Sequence, residues 1–288
     1  MSKVHVLTPD IISKIAAGEV IDRPASVVKE CLENSLDAGA SRIEITVKQA
    51  GRSLIEIKDN GDGIAEDDLE KIFLRHATSK IGTFEDLFKI SSLGFRGEAL
   101  YSIAAISDLT LRSAAAGQQS GWEIHFRGGE KQSLKPIGMQ EGTEIRIQEL
   151  FYNTPARRKF LKRDATEFSH IMRTVTPYTL MRHACRFLFS ADYRGSMRTV
   201  FDLSPVTDRA ERISAALNLP QKDIVIHHGE FPSRDITLEA YLGDMNIRRT
   251  SKDMQFIFIN GRPVYHRLLN YRLNDMYRSL FPRDIYPF

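Results

Sequence analysis

The 288-residue sequence has few cysteines and no long apolar segment. Its two cysteines, Cys31 and Cys185, form no CxxC pair, which excludes a disulfide framework and a cysteine-based zinc site. No apolar run approaches the length that crosses a bilayer, and the first ten residues lack the apolar stretch of a secretory signal. We therefore expect a soluble protein of the reducing cytoplasm, for which 42% hydrophobic and 27% charged residues are typical.

Two common phosphate-binding motifs and a large net charge are also missing. There is no GxxxxGK[ST] loop and no GxGxxG after a strand. The net charge is only +3, yet residues 151–200 contain ten Lys or Arg and three Asp or Glu. Such a local excess favours a polyanionic partner. A solvated helical face is the simpler explanation on charge alone.

The spacing of apolar residues predicts helices and antiparallel strands in blocks. A helix begins after Pro24 and ends at Asp37-Ala38-Gly39, and Gly51 lies between two alternating strands that suit a hairpin. Such blocks indicate an α+β sandwich and not a doubly wound parallel sheet. The predicted strands are 42–47, 54–58, 108–113, 122–127, 143–148, 186–191, 198–202, 236–242 and 255–259, and the further helices are 66–75, one from Gly97, 165–181, 208–217 and one from His266.

The first candidate site lies on the helix after Pro24. Glu30, Asn34 and Asp37 are spaced four and three apart, so they share one helical face. A carboxylate and an amide oxygen stacked in this way could orient a water molecule and ligate magnesium. Glu33 lies near the same polar edge, and spacing does not choose between the two glutamates. The alternative is an ordinary solvated helix face.

A second candidate follows directly on the strand 54–58, in Asp59-Asn60-Gly61-Asp62-Gly63. These dipeptides are typical of tight turns. A calcium loop fits poorly, because glycines stand where side-chain oxygens are needed. The functional interpretation makes Asp59 an acceptor for an adenine amino group, with glycines that let the base approach the backbone.

The third candidate is the glycine-flanked stretch Leu93–Leu100, which leads into a helix. Exposed N–H groups at a helix start bind phosphate, aided by the helix dipole. Thr78-Ser79-Lys80 offers hydroxyls and a cation to the same anion. Alone, a Gly-x-x-Gly is a weak signal.

Together these motifs resemble the nucleotide-binding motifs of the GHKL ATPases, the superfamily of DNA gyrase, heat-shock chaperones, histidine kinases and MutL. The resemblance rests on Glu30-x-x-x-Asn34, Asp59-x-Gly61-x-Gly63, Gly94-x-x-Gly97 and Gly142-Thr143. The stretches 15–24, 75–80, 94–100 and 151–160 are similar to the MutL family of mismatch repair proteins in particular. The similarity is dense to about Lys162 and then thins to residues 258–263.

The resemblance implies a role for each matching residue. Glu30 would be the general base, and Asn34 would coordinate Mg²⁺, with Asp37 beside it. Asp59 would bind adenine, supported by Gly61, Gly63 and Thr143. The phosphate-binding lid would comprise Thr78, Ser79, Lys80, Leu93, Gly94, Phe95, Arg96, Gly97, Glu98, Ala99 and Leu100.

The resemblance also implies domains and partners. Residues 1–202 would form the ATP-binding domain, and 203–288 a second α/β domain truncated before the lysine that reaches the γ-phosphate. ATP would order the lid and drive homodimerisation, with a MutS-type mismatch recognition protein as partner in the cytoplasm, at the nucleoid. Candidates for sequence-independent DNA contacts are Arg157, Arg158, Lys159, Lys162, Arg163, Arg262 and Arg267. An ATP-binding and DNA-binding scaffold with little or no hydrolysis is the alternative.

Overall fold

The computed structural model describes residues 17–18, 20–80, 92–94, 97–118, 120–193, 195–278 and 285–288. The chain divides into two compact units. The first comprises Met1–Val175 and Cys185–Asp202, and the second comprises Thr176–Ala184 and Leu203–Phe288. Over the described ranges, no helix combines the length and apolar character needed to cross a membrane.

The first unit is built on a sheet of eight strands in the order β5-β4-β3-β6-β2-β1-β7-β8. β1 and β7 pair in parallel, and the other pairings that the structure describes are antiparallel. This confirms the predicted α+β class with a mixed, largely antiparallel sheet. The strands are β1 (Arg42–Lys48), β2 (Leu54–Asp59), β3 (Asp108–Ala114), β4 (Gly121–Arg127), β5 (Glu130–Ile137), β6 (Gly142–Gln148), β7 (Arg186–Tyr193) and β8 (Ser196–Leu203).

The helices of this unit differ from the predicted ones in two places. They are α1 (Pro24–Asp37), α2 (Glu66–Leu69), α3 (Ala99–Ala105), α4 (Pro155–Phe160) and α5 (Asp164–Met181), whose residues from Thr176 onward belong to the second unit. The single helix predicted at 66–75 is wrong, because α2 ends at Leu69, a 3₁₀ turn follows at Lys71–Phe73 and Leu74 is extended. The short helix α4 was not predicted.

One face of the sheet forms the core with the helices. In β1, Ile43, Ile45 and Val47 are buried, and the residues between them are more exposed, as the period of two predicts. On α1, Val28 and Leu32 are fully buried. The apolar stripe of α1 and the apolar face of the strands thus place the polar residues of α1 at the edge of the core.

The opposite face carries a row of alternating charges across six neighbouring strands. The row runs Lys135, Glu123, Arg112, Glu144, Lys58 and Glu44. Arg112 forms ion pairs with Glu123 (2.7 Å) and Glu144 (3.1 Å). A depression of about 710 Å³ lies over this row and reaches Asp59 and Asn60 at one end. The three positive and three negative charges of the row cancel, so this face is a solvent-exposed surface without net charge along the row.

The second unit has a smaller core and shorter sheets. Its elements are α6 (Arg209–Leu217), β9 (Ile224–Phe231), β10 (Ile236–Gly243), β11 (Ile257–Ile259), β12 (Arg262–Val264) and α7 (Arg267–Tyr277). The core consists of Leu180, Ile213, Leu217, Leu219, Ile224, Ile247 and Phe288. The strand predicted at 255–259 is shorter than expected, and β9 was missed because His227-His228-Gly229 interrupts its apolar alternation.

Candidate functional site

The exposed face of α1 carries a lysine between two glutamates. Lys29 Nζ lies 3.1 Å from Glu30 Oε1 and 3.0 Å from Glu33 Oε2. Partial burial of Lys29 disfavours its charge, but the two carboxylates outweigh this and raise the pKa of Lys29. The Glu30 side chain is 26% exposed and that of Glu33 only 8%. Glu30 is therefore the glutamate with the better access to water.

One turn further along α1, two side-chain oxygens converge on a single cation. Lys80 Nζ donates to Asn34 Oδ1 (3.0 Å) and to Asp37 Oδ2 (2.5 Å). Lys80, the predicted phosphate-binding lysine, is therefore hydrogen-bonded to two other predicted site residues. Lys80 comes from the chain beyond α2, and its backbone N–H donates to the Thr78 hydroxyl (3.1 Å), whereas Ser79 is exposed.

The Asp37 carboxylate also receives two backbone donors from the predicted phosphate loop. Leu93 N donates to Asp37 Oδ1 (2.7 Å), and Gly94 N donates to Oδ2 (3.0 Å). A Cβ at Gly94 would lie 3.4 Å from Lys80 Nζ and 3.7 Å from Asn34 Oδ1, which is ordinary van der Waals contact. Gly94 thus lies beside Lys80 and Asn34 as well as Asp37.

At the end of β2, Asp59 is 91% buried, with relative exposure of 9%. Ser35 Oγ donates to Asp59 Oδ2 (2.6 Å), and Gly61 N donates to Oδ1 (2.9 Å). Burial disfavours the charged carboxylate and raises the pKa of Asp59, although these hydrogen bonds and one from the Thr143 backbone oppose the rise. A buried, structurally supported carboxylate of this kind is suited to selecting a hydrogen-bond donor.

Thr143 lies opposite Asp59, in the neighbouring strand β6. Its hydroxyl is 2.9 Å from Ser113 Oγ, and Ser113 also donates to the Gly142 carbonyl (2.9 Å). Ser113 Oγ accepts in turn from Ile64 N, which follows the Asp59 turn. The turn, β3 and β6 are therefore joined by one hydroxyl.

The glycines of the Asp59 turn are also required by the packing of the turn against the rest of the protein. A Cβ at Gly61 would meet the carbonyl of Ala38 (2.6 Å), and a Cβ at Gly63 would overlap the carbonyl of Ala114. Gly63 also has φ +67°. The missing side chains thus let the turn lie against protein backbone beyond α1 and β3, which fixes the turn in place.

The second half of the predicted lid is locked to the segment before Thr78. Gly97 has φ +63°, and a Cβ there would overlap the backbone of Ala77. Glu98 Oε1 lies 3.6 Å from Arg75 Nε and 3.3 Å from His76 Nδ1. Ala99 and Leu100 then begin α3. Phe95 and Arg96 lie outside the described residues.

The donor set fits a magnesium ion held largely by phosphate. In the described part of the chain, no group of three or more His, Cys, Asp or Glu could hold a metal alone. Mg²⁺ in nucleotide sites uses one or two protein oxygens together with phosphates and water. Asn34 Oδ1 and Asp37 Oδ2 already converge on a cationic atom, the Lys80 ammonium. These two oxygens meet that requirement.

Among the predicted DNA-contact residues, Arg157 contacts the protein itself, and most of the others are exposed. Arg157 Nη1 donates to the Ile21 carbonyl (3.2 Å), and its guanidinium fills the space beside Gly18. Asp164 pairs with Arg52 (3.4 Å), and Glu167 accepts from the Lys162 N–H (2.8 Å). The other predicted residues of the first unit, Arg158, Lys159, Lys162 and Arg163, are exposed, and Arg262 and Arg267 belong to the second unit.

Three residues that support the site were not predicted. Ser35 and Ser113 are buried hydroxyls that hold the Asp59 end of the site, and Lys29 contacts both glutamates. The burial of Ser113 could have been predicted from the sequence. Leu109 and Leu111 alternate with less buried positions, and the same alternation places Ser113 on the buried face of β3. No comparable pattern marks Ser35, since its partner Asp59 lies 24 positions away.

Comparison with known proteins adds family information to this geometry. Residues 22–150 match the family described as "Histidine kinase-, DNA gyrase B-, and HSP90-like ATPase", and residues 221–288 match "DNA mismatch repair protein, C-terminal domain". The chain is 40% identical to the DNA mismatch repair protein MutL of Pasteurella multocida over 99% of its own length and 46% of that relative. The MutL of Endomicrobium trichonymphae is also 40% identical, with 47% covered. The chain thus spans about half the length of these curated relatives.

Solved structures agree with the sequence matches. The Aquifex aeolicus MutL ATPase domain complexed with ADP superposes with a TM-score of 0.70 at 30% identity, covering 91% of this chain and 89% of that one. The N-terminal domain of a DNA repair protein superposes with a TM-score of 0.80 at 27% identity, covering 96% and 84%. With this coverage at both levels, the chain belongs to the MutL family of DNA mismatch repair proteins, and its first unit has the GHKL ATPase fold.

Proposed function

We propose that this chain binds Mg-ATP at α1, the Asp59 turn and the Lys80–Gly94 contacts, and hydrolyses it as a switch in DNA mismatch repair. The observation that carries the proposal is the convergence of Asn34 and Asp37 oxygens on one cation, next to a buried adenine-type acceptor at Asp59. The solved structure of a family member in complex with ADP supports nucleotide use.

Asp59 would select the base. Its carboxylate accepts hydrogen bonds from Gly61 N, Ser35 Oγ and the Thr143 backbone. A carboxylate has about four lone-pair sites, so one remains to accept from the adenine amino group. Guanine presents a carbonyl at the same position, so two acceptors would face each other without a proton between them. Asp59 therefore favours adenine nucleotides over guanine nucleotides.

Lys80 would exchange partners when the triphosphate binds. Its ammonium now lies on Asn34 and Asp37, and Thr78, Ser79 and the Leu93–Leu100 stretch are close to it in sequence or space. Movement of Lys80 onto phosphate oxygens frees Asn34 Oδ1 to hold Mg²⁺. The bound ion would neutralise developing charge on the phosphates.

Glu30 would act as the general base. Its carboxylate is more exposed than that of Glu33, so it can accept a proton from a water molecule at the phosphate. Lys29 positions both carboxylates, since its ammonium lies 3.1 Å from Glu30 and 3.0 Å from Glu33. Glu33 would hold the Lys29 ammonium in place from its other side.

The whole protein's partners follow from family membership. We infer ATP-dependent lid ordering and homodimerisation, coordination with a MutS-type mismatch recognition protein in the cytoplasm, and sequence-independent DNA contact. Arg158, Lys159, Arg262 and Arg267 are the proposed phosphate contacts, and Arg157 contributes through its support of the Gly18–Ile21 segment. Isothermal titration with ATP tests the centre of the proposal. Absence of Mg²⁺-dependent ATP binding would refute it.

A second candidate function is an ATP-binding and DNA-binding scaffold with little hydrolysis. It is favoured by the Lys29–Glu30 ion pair, because Glu30 Oε1 contacts an ammonium 3.1 Å away instead of a water molecule. A single-turnover measurement with radiolabelled ATP separates the two candidates. Release of phosphate from the bound ATP supports the switch, and stable binding without release supports the scaffold.

A further inference from the structure

A cavity of about 300 Å³ lies between the start of α1 and the first part of α5. On α5 it is lined by His170, Arg173 and Thr174, which share one helical face because they are three and four positions apart. Ile171 and Val175 of the same helix are fully buried, so the core of the first unit holds this part of α5 in place. The other lining residues are Asp22, Arg23, Ala25, Ser26 and Lys29.

The lining of this cavity is rich in cations. Arg23, Lys29 and Arg173 carry positive charges, and among the described lining residues only Asp22 carries a negative one. Both carboxylate oxygens of Asp22 are occupied, because Ser26 Oγ donates to Oδ1 and Arg23 Nε donates to Oδ2 (3.1 Å). The cavity therefore keeps an excess of positive charge.

The two titratable side chains on α5 lack a partner. Within the part of the chain that the structure describes, the side chains of His170 and Arg173 form no hydrogen bond and no ion pair. A guanidinium has five N–H donors and no acceptor, so only an acceptor satisfies it. At about 300 Å³ the cavity is at the lower limit of sites for drug-sized ligands. A small anion therefore fits it better than a nucleotide.

Lys29 joins this cavity to the proposed general base. Its ammonium lies 3.1 Å from Glu30 Oε1 and 3.0 Å from Glu33 Oε2. The carboxylate of Glu33 is the less exposed of the two, so water and salt screen its attraction for the lysine less. An anion in the cavity would thus take the ammonium from Glu30 before it takes it from Glu33.

We propose that this cavity binds inorganic phosphate, and that the bound phosphate draws the Lys29 ammonium from Glu30 while Glu33 keeps its contact. Phosphate carries more than one negative charge at neutral pH, and a carboxylate carries only one. Its oxygens accept strong hydrogen bonds from Arg173 and Lys29, because these donors are charged. The freed Glu30 carboxylate then contacts water. This last step rests on the proposed role of Glu30, whereas phosphate binding does not.

The melting temperature in phosphate measures binding. Phosphate also stabilises proteins generally, by exclusion from their surface, so sodium chloride at the same ionic strength is the reference and every variant is compared. A specific site adds a saturable rise, because the ligand binds the folded state. Arg173→Ala should weaken phosphate binding about 10- to 150-fold, the factor for one charge-assisted hydrogen bond. Lys48→Ala, which removes an exposed cation of β1, is the matched control and should bind phosphate as wild type does.

The rate of ATP turnover tests the link to Glu30. Release of ADP is measured, so that added phosphate does not obscure the assay. The wild-type rate should rise by up to about 5-fold, the factor for loss of one partly exposed ion pair. The rise should level off at the phosphate concentrations that saturate binding, and Arg173→Ala should lose it. Lys80→Met, which lacks the proposed phosphate-binding lysine of the nucleotide site, should retain the rise in melting temperature.

Four results would overturn the proposal in whole or in part. Equal rises in melting temperature for wild type, Arg173→Ala and Lys48→Ala would show general stabilisation only. A rise that Lys80→Met loses and Arg173→Ala keeps would place phosphate in the nucleotide site. Equal binding of dimethyl phosphate, a diester with a single charge, would assign the cavity to phosphodiesters. Saturable binding with an unchanged rate would remove the link to Glu30.

Failure of the proposed function gives a different result. A chain that binds phosphate at Arg173 but binds no ATP would refute the nucleotide site and leave the phosphate site intact. Because His170 and Arg173 are not part of the core, Arg173→Ala should melt in sodium chloride at the wild-type temperature. Arg173→Lys retains the positive charge and should restore part of the phosphate binding.

Discussion

Ser35 Oγ donates a 2.6 Å hydrogen bond to Asp59 Oδ2, and this bond joins the last turn of α1 to the end of β2. Both residues are buried, so water does not compete for the bond. Ser35 is next to Asn34, the proposed magnesium ligand. The bond therefore fixes the distance between the adenine end and the phosphate end of the proposed nucleotide site.

Asp59→Asn should stabilise the protein at neutral pH while weakening ATP binding. Because burial raises the pKa of Asp59 above 3.8, the folded state binds more protons than the unfolded state in the window between the two values. Stability therefore falls as pH rises through that window. The asparagine variant lacks this cost, so its melting temperature should exceed that of wild type near pH 7, with the difference vanishing below pH 3.8.

The matched control for this variant is Asp62→Asn in the same turn, where the side chain is exposed. It should change neither the melting temperature nor ATP affinity appreciably. A wild-type protein more stable than Asp59→Asn at neutral pH would mean that the hydrogen bonds to the carboxylate outweigh its desolvation.

Glu30→Gln should abolish turnover without abolishing binding. Loss of a general base lowers the rate by about 10²- to 10⁴-fold, whereas Asp59 and Lys80 remain to bind the nucleotide. Glu33→Gln is the control, since it has the same lysine partner and a less exposed carboxylate. Steady-state phosphate release and ATP titration measure the two effects. Equal rates for wild type and Glu30→Gln would remove Glu30 from the mechanism.

Lys80→Met should weaken ATP binding much more than adenosine binding. A charge-assisted hydrogen bond contributes about 1.5–3 kcal/mol, which corresponds to roughly 10- to 150-fold in affinity. Adenosine has no phosphate for Lys80 to contact, so its affinity should change little. Lys71→Met is the control, because Lys71 pairs with Asp68 at the surface. Parallel losses for both ligands would place Lys80 outside the phosphate site.

Gly63→Ala should destabilise the first unit far more than Gly117→Ala. Both glycines have positive φ, +67° and +75°, and such a conformation costs an L-residue about 1–2 kcal/mol. At Gly63 the new methyl would also overlap the Ala114 carbonyl, whereas nothing lies within 4 Å at Gly117. Urea unfolding gives both values. Similar free energies of unfolding would show that the turn relaxes away from β3.

Arg157→Ala and Arg158→Ala should separate support from DNA contact. Arg157 binds the Ile21 carbonyl, so its loss should lower the melting temperature and leave the salt slope of DNA binding intact. Arg158 is exposed, so its loss should leave the melting temperature unchanged. The salt slope of DNA binding should become about 0.7 smaller for the one lost contact. A reduced slope in Arg157→Ala at unchanged stability would restore it to the DNA-contact set.

The local parts of the fold could be predicted from sequence. The bounds of α1 follow from Pro24 and Gly39, and the hairpin of β1 and β2 follows from their alternation. β5 could not be predicted, because Glu130–Ile137 has no apolar period. It forms since the preceding glycines return the chain onto β4, and its pairing energy comes from that neighbour.

The candidate site shows the same division between local and distant information. Spacing on α1 placed Glu30, Asn34 and Asp37 together, since a helix fixes that geometry. The contact of Lys80 with Asn34 joins positions 46 apart, and no local pattern specifies it. The packing of Gly61 and Gly63 could not be predicted either, because the carbonyls that they approach belong to Ala38 and Ala114, outside the turn.

The convergence on Asp37 makes one side chain a shared hub for two distant segments. Lys80, Leu93 and Gly94 all bind this one carboxylate. Any change that removes the carboxylate therefore releases all three partners from α1 at once, so the two segments are coupled through a single residue.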